Sequence, residues 1–556
     1  MRRGSITIFL ALTLTLVLSF VFSLLEGARI ACIRSRAEMM SEICMQSMFG
    51  NYHAGMWENY HLLFFDLGWQ EKDFSPERFA GEAEETLERN LFQKSGQSVS
   101  RTSHLLALNV SEVVLQQYQL ATDEDGMVFV RQAVQQMKYE AAEDAVEDIR
   151  SLVSDSGKTE TQSTQNSADW ESAWDAMDEA KRIKEEQADS GGADGGSDSA
   201  TDGGSNSTTD GGNDSTASDG ETDSANADEE ITGINPEDTV TEEIAEEAER
   251  MENPMDYVKE IKTTAFLAQV VSDPTALSEK SLSDEDCLME RSHEEGTWAE
   301  EEESDGNTAS ITERVLLQYY IQSFFDHYVT KENADGSVSE QEGQGDDEEK
   351  VLDYEVEYLV GGKKTDQENL EAVTGRLLLI REAMNFITIL KDQEKRSLAL
   401  GIATVAVGFT GVSLLVRAVQ VGILLAWSYV ESVLDVRALL DGEKVPFLKR
   451  TDQWSSDWKN IRMNDDGKAE NDEESGLTYM QYLHILMALT PVRTLASRCM
   501  DLMERNENVK MDHMMQAAKV KVVYRIDPLF WSVNFVRAPK LGTLANSHVV
   551  TMNYCN

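Results

Sequence analysis

Positive charge is scarce in this chain: 49 Lys and Arg stand against 101 Asp and Glu, a formal net charge of −52 over 556 residues. Nucleic-acid binding is excluded, because phosphate neutralisation needs clustered Lys and Arg. Adhesion to anionic lipid beyond an anchor is excluded for the same reason. Cysteine is sparse as well. Cys32, Cys44, Cys287, Cys499 and Cys555 are scattered, with no CxxC or metal-ligand spacing. That rules out a disulfide scaffold and favours small apolar packing. The eight histidines form no HExxH or HxxxH pair, and neither GxSxG nor GxxxxGK[ST] occurs. Gly361-Gly-Lys-Lys-Thr365 is therefore not a phosphate loop. No catalytic residue, cofactor or metal ligand is expected.

Long apolar runs are few, and the first carries most of the information. Met1-Arg2-Arg3-Gly4 precedes an uncharged stretch from Ser5 to Leu25, closed by Glu26. About 20 apolar residues in a helix cross the hydrocarbon core of a bilayer. A cleavable signal has an apolar core of roughly 7–15 residues and a small-x-small site; this run is longer, and Ser23–Ala28 offers no such site. A lipoprotein site at Cys32 would place Arg29 in its small-residue box. Arg2-Arg3-Gly4 before Ser-Ile-Thr-Ile-Phe-Leu looks like a type IV prepilin, cut after the Gly, but Phe9 stands where most such proteins carry Glu. The preferred reading is an uncleaved transmembrane helix, 5–25, behind a cytoplasmic tip, 1–4. Arg2 and Arg3 before the run are balanced by Arg29, Arg34 and Arg36 after it, so charge alone does not orient it.

The rest divides by composition. Residues 26–153 form the first part of an outer domain, 154–252 a disordered acidic insert, and 253–556 the remainder, with disordered loops near 283–310 and 331–350. The helix continues outward over Gly27 to Phe49, with a face at Ala28, Ala31, Met39, Met40, Ile43 and Met48. Tyr60–Leu67 and Val110–Ala121 read as strands, Pro76–Phe92 as a helix. Asp123-Glu-Asp-Gly126 resembles the start of a calcium loop but lacks its later ligands; a plain turn into a helix reaching Val153 is preferred. The insert carries an imperfect octapeptide repeat (Asp194-Gly-Gly, Asp202-Gly-Gly, Asp210-Gly-Gly) with no apolar residue to build a β-roll core. It is read as flexible, with weak diffuse cation binding, and transiently helical only around Trp170–Lys184. Helices are expected near Ile261–Val270, Val315–Val329, Asn369–Leu390, Trp427–Leu440, Leu477–Leu489 and Val492–Glu504. Strands are expected at Asp353–Val360, Lys519–Ile526, Leu529–Val536 and His548–Tyr554.

Two segments stay open at this level. Ser397–Val416, within an apolar helical region 397–440, is uncharged and long enough for a second span, but a buried helical hairpin has the same composition and is preferred. Glu431 and Asp435 are four apart and share a helix face, as paired carboxylates for acid–base work would. Arg437 as a neutralising partner is the preferred account.

Several segments together resemble an uncharacterised domain-of-unknown-function family of membrane-anchored proteins from Gram-positive anaerobes, encoded near tight-adherence (Tad) pilus genes. The resemblance rests on Arg3-Gly-Ser-Ile-Thr-Ile-Phe-Leu, Leu24-Leu-Glu-Gly-Ala-Arg29, Tyr60–Asp66, Glu357–Lys363, Arg381 with Asn385, Trp427, Glu431, Asp435-Val-Arg437, Val445-Pro446, Lys449, Gly476–Tyr479, Tyr482 and Asp501. The N-terminal block is also similar to TadE- and TadG-like minor pseudopilins. The resemblance implies Gly4 as a candidate processing position and Ile6, Phe9, Leu10, Glu26 and Arg29 as a candidate assembly helix.

The expected fold is α+β: an N-terminal transmembrane helix, then a mixed helical and antiparallel-sheet ectodomain with strands near 60, 115, 355, 522 and 550. The expected function is a surface-exposed structural or accessory protein of a Tad-type pilus or secretion system. Its partners would be the membrane and pilus or secretion machinery proteins, with the bulk on the extracellular side. A membrane-anchored extracellular enzyme acting on the cell envelope is the alternative.

Overall fold

A computed structural model describes residues 3–69, 73–91, 108–140, 149–150, 169, 171–180, 182–183, 258, 267–271, 273–283, 287–289, 291–298, 310–329, 350–456, 476–526, 529 and 544–555. The fold is mostly helical with one antiparallel sheet, led by a long apolar helix. Helix α1 (Arg3–Phe49) runs unbroken for 47 residues. It is followed by α2 (Ala54–Tyr60), β1 (Phe65–Asp66), α3 (Pro76–Leu91), β2 (Asn109–Leu120) and α4 (Met127–Glu140). The later helices are α5 (Ile311–Phe324), α6 (Glu355–Gly361), α7 (Asp366–Lys391), α8 (Gln393–Val407), α9 (Ser413–Leu440), α10 (Tyr479–Leu489) and α11 (Val492–Asn506). Strands β3 (Met514–Ile526) and β4 (Leu544–Asn553) close the chain.

Strand β3 is the centre of the sheet. It pairs with β2 on one side, and with β4 and the two-residue β1 on the other, always antiparallel. Its residues alternate as a half-buried strand should. Ala518, Val520, Val522, Tyr524 and Ile526 are buried under α1 and α3, whereas Lys519, Lys521, Val523 and Arg525 face the other way. A larger core lies among α4–α11. The 60–67 segment joins the two cores: Leu62 and Phe64 enter the helical one, Phe65 and Leu67 the sheet.

Several expectations are corrected. Tyr60–Leu67 is not a strand of that length. His61 ends α2 in a left-handed conformation (φ 54°), and only Phe65–Asp66 pairs. Asp353–Val360 is not a strand but leads into α6, capped by left-handed Gly362. Its alternation was one of chemistry, not exposure. Glu355 and Glu357 are fully buried, accepting hydrogen bonds from the backbone N–H of Asp326 (2.9 Å) and Tyr328 (3.0 Å). Within the acidic insert, 171–180 is helical, because Ala173, Ala176 and Ala180 recur at helical spacing and are buried. The stretch 283–310 is tied down between 287 and 298. Leu288 N donates to Asp501 (2.6 Å), Glu294 N to Asp512 (3.1 Å) and Gly296 N to Asp123 (2.8 Å), and Arg291 pairs with Glu504 (2.5 Å). Asp123 thus serves backbone donors, and Asp123–Gly126 is a turn with Glu124, Asp125 and Gly126 all left-handed.

Ser397–Val416 is a helical hairpin. Helix α8 ends at Val407, a 3₁₀ turn covers Gly408–Thr410, and α9 returns antiparallel, with Gln420 donating to the Arg396 carbonyl (2.9 Å). The helix following Asp123–Gly126 is seen over Met127–Glu140 and again at 149–150; residues 141–148 and 151–153 of the expected helix lie outside the described residues. The octapeptide repeat, the loop 331–349 and, apart from Leu529, the strand expected at Leu529–Val536 lie outside the described residues.

Candidate functional site

The sequence candidates all fall on α1, and the structure divides that helix in two. Gly4 lies in its first turn. Ile6, Phe9 and Leu10 are 66–68 % exposed, and the most apolar window of the helix has no buried residue. This half is long and apolar enough to span a bilayer, which is consistent with membrane anchoring. Its hydroxyls turn inward: Thr13 Oγ1 donates to the Leu10 carbonyl (3.0 Å) and Thr15 Oγ1 to that of Leu12 (2.9 Å). A helix in lipid must satisfy its polar groups within itself.

Glu26 and Arg29 are where the helix enters the protein. Both are buried and paired, Arg29 Nη1 to Glu26 Oε1 at 2.7 Å, and Leu529 N donates to the same oxygen at 3.4 Å. From there Ile33, Ala37, Ser41, Cys44, Met45, Met48 and Phe49 form the seat on the sheet. Of the face expected from the sequence, Met40 and Met48 meet the sheet core, whereas Met39 and Ile43 are 49 % and 41 % exposed, and Ala28 and Ala31 also face outward. The true face is set by the docking groups. The Ser41 and Tyr524 hydroxyls are 2.7 Å apart, Cys44 Sγ donates to the Ala83 carbonyl (3.4 Å), and the Tyr554 hydroxyl donates to the Phe49 carbonyl (2.6 Å). Burial pushes the Cys44 thiol up to about 11, so it stays protonated and packs. Tyr524 and Tyr554 lie some 480 to 505 residues away from their partners, beyond the reach of any local pattern.

Away from α1, the residues that carry the family resemblance converge inside the helical layer. Arg381 on α7, with no exposed surface, donates to Asp435 Oδ2 (Nη2 2.8 Å, Nε 3.1 Å), to the carbonyls of Pro446 (2.8 Å) and Phe447 (2.9 Å), and to the Tyr482 hydroxyl (2.9 Å). Lys449 Nζ lies 2.5 Å from Glu431 and 3.0 Å from Asp435. Asn385 donates to Asp435 and to Ser432 (both 2.9 Å), and Ser456 donates through both its backbone N–H and its hydroxyl to Glu431. Burial alone would raise the Asp435 pKa; Arg381 and Lys449 outweigh it and hold the carboxyl below its usual value. Two cations and two anions thus neutralise each other in a closed, hydrogen-bonded centre. Arg437 is not the neutralising partner: it points elsewhere, donating to the Gln269 carbonyl (2.7 Å). With every carboxylate oxygen engaged, Glu431 and Asp435 clamp α7, α9 and the 445–456 loop.

A polar cleft of about 280 Å³ lies between α2 and the turn after α11. It is lined by His53, Asp66, Glu507, Lys510 and His513, and its lining has no Ser, Thr or Cys. His53 Nδ1 caps α2 by accepting from Met56 N (3.2 Å), Asp66 accepts from Gly68 N (2.7 Å) and Glu507 from Asn59 (2.6 Å). Burial lowers the His513 pKa, and its ring packs 5.3 Å from that of Phe74. These side chains hold turns and helix ends.

Comparison with curated proteins and with solved structures gives no match. The model of one family, described as a family of unknown function, matches residues 244–526. That match takes in α5–α11, the buried ionic centre and β3; it includes neither α1 nor β4. It spans just over half the chain, which belongs to this family of unknown function, DUF5702.

Proposed function

We propose that this protein is a membrane-anchored, surface-exposed structural component, pseudopilin-like, of a Tad-type pilus or secretion system, with the bulk of the chain on the outer side. The observation that carries this reading is the continuity of α1. One helix without a break has an apolar half exposed along its length and a second half seated on the sheet from Ile33 to Phe49. A helix built this way transmits the position of the anchor rigidly to the outer domain, as a subunit assembled by helix packing in the membrane requires. The Arg3-Gly4 start and the run that follows it support a pilin-like origin. The buried ionic centre supports the structural role, since it stiffens the helical layer and offers no open position to a substrate.

Co-purification from the native host tests the reading. Recovery with pilus or secretion machinery proteins is expected, together with reduced piliation in a deletion strain. Recovery of the protein alone, with unchanged piliation, would sink it.

A further inference from the structure

The sheet has two edges, and they are protected differently. The register of β2 against β3 shifts at three places, its Glu112 is exposed, and the 297 region covers it. Thr297 N donates to the Tyr118 carbonyl (2.9 Å), and Tyr118 N donates to Thr297 Oγ1 (3.1 Å). Bulges, charge and a covering segment are the devices that keep an edge from pairing. Strand β4 has none of them among the described residues. Its ten residues, LANSHVVTMN, include no Asp, Glu, Lys, Arg or Pro, and its register holds without a shift from Ala517↔Asn553 to Ile526↔Leu544.

The ladder identifies the outward groups. Tyr554 N donates to the Gln516 carbonyl (3.3 Å), and bonded and non-bonded pairs alternate along an antiparallel ladder. Even-numbered residues of β4 therefore bond β3, while the N–H groups of Ser547, Val549 and Thr551 point away from it. Beside this edge runs a groove of about 340 Å³ between Glu42 and Gln46 of α1 and His548–Met552 of β4. Val550 turns its side chain into the core under α1, and Val549 is 43 % exposed on the opposite face.

A second copy does not fit this edge. Ser41 meets Tyr524 while Phe49 meets Tyr554, so α1 runs antiparallel to β3 and parallel to β4. Two β4 strands joined antiparallel are related by a two-fold axis perpendicular to the sheet. That axis reverses α1 as well, and the two apolar halves would point in opposite directions. Copies with their anchors aligned in one membrane can offer β4 only the β2 edge of a neighbour, which is the guarded one.

We infer that the β4 edge accepts an extended segment of another protein by strand addition. The segment carries alternating apolar residues toward the α1 groove and a Lys or Arg beside exposed Glu42, in a chain whose charge of −52 favours a cationic partner. The membrane reading of α1 enters only in excluding a second copy.

The test is amide hydrogen exchange at the outward N–H groups of Ser547, Val549 and Thr551 in the full chain, reconstituted in phospholipid nanodiscs. The probe is a synthetic alternating peptide with Val and one central Lys on one strand face and Thr on the other; the control is a Pro-interrupted peptide of equal charge. Exchange is expected to be fast alone, slowed by the alternating peptide and unchanged by the control. Thr551→Pro removes an outward donor and no ladder bond, and is expected to weaken binding about fivefold. Glu42→Lys, on an exposed position, is expected to weaken it as well and serves if Thr551→Pro fails to fold. Slow exchange without peptide, equal protection by the control, undiminished binding in both variants, or a dimer joined through β4 would each overturn the inference.

Discussion

The first half of α1 and helix α9 are both long and apolar enough to cross a membrane, with mean hydropathies of 2.6 and 1.5, yet the first is 0 % buried and the second 67 %. What separates them is where their polar groups go. In α1, Thr13 and Thr15 bond back to their own helix, so the surface that remains is apolar all round. In α9, Gln420, Glu431 and Asp435 reach outward to α8, Lys449, Ser456 and Arg381. Hydroxyls close on their own helix in both, since Ser428 and Ser432 of α9 donate to the Leu425 and Ser428 carbonyls; what α9 adds is charged and amide side chains that fix its neighbours.

The sharpest way to break this comparison is one charge in each helix. Val419 is 1 % exposed, and Val419→Arg buries a cation without a partner. The expected cost exceeds about 4 kcal/mol, seen as loss of the cooperative thermal transition with membrane retention intact. Leu14 is 58 % exposed. Leu14→Arg is expected to cost about 3 kcal/mol of insertion, seen as release on alkaline extraction with the helical layer and sheet still folded. Interchanged outcomes would mean that the two helices have been assigned to the wrong surroundings.

A smaller effect probes the polar groups of α9. Lys449→Met leaves Glu431 and Asp435 with one cation between them, and is expected to destabilise by about 3–5 kcal/mol. Arg450→Met, one residue on, removes an exposed side chain paired with exposed Asp452 and should stay within about 0.5 kcal/mol. Chemical denaturation of the two variants in parallel measures the difference. Equal midpoints would show that the buried centre is not what holds α9 in place.

Much of the architecture could be read locally. Helices α3, α7, α10 and α11 and strands β2, β3 and β4 follow periodicity and caps, such as the Thr478–Gln481 capping box that starts α10. What could not be read depends on partners distant in sequence. The docking face of α1, Ile33, Ala37, Ser41, Cys44, Met45, Met48 and Phe49, has helical spacing of its own, and only partners such as Tyr524 and Tyr554 distinguish it from the neighbouring apolar stripe. The 353–360 segment looked like a strand because Glu355 and Glu357 alternate with apolar residues. Its helical form depends on backbone donors at Asp326 and Tyr328 that bring both carboxylates inside. Arg381, Glu431, Asp435 and Lys449 could be picked out one by one, but only folding shows that they meet. The candidate assembly residues divided similarly: the exposure of Ile6, Phe9 and Leu10 follows from composition, whereas the burial of Glu26 with Arg29 does not.

The mildest test concerns Glu357, buried in the helical layer that also holds α9. It accepts from Tyr328 N (3.0 Å) and the Tyr479 hydroxyl (2.7 Å), and burial pushes its pKa up to about 7 from the usual 4.5. Between those values the folded chain keeps a proton that the unfolded chain has released. Its contribution is therefore full below pH 4.5 and is lost as pH rises to 7, by about 3 kcal/mol in all. His327 and His484 act in the opposite sense. Burial holds them at about 4 and about 3, against the usual 6.5, so they lose stability as pH falls below 6.5. From pH 6.5 to 4.5 the slopes oppose each other in the wild type. Glu357→Gln removes one of them. The variant is expected to be more stable than the wild type above pH 7, by up to about 3 kcal/mol, and to lose stability more steeply on acidification from pH 6.5. Urea midpoints across pH 4.5 to 8 measure both effects. Parallel curves for the two proteins would mean that Glu357 stays ionised inside the fold, with its two hydrogen bonds compensating for burial as Arg381 and Lys449 do for Asp435.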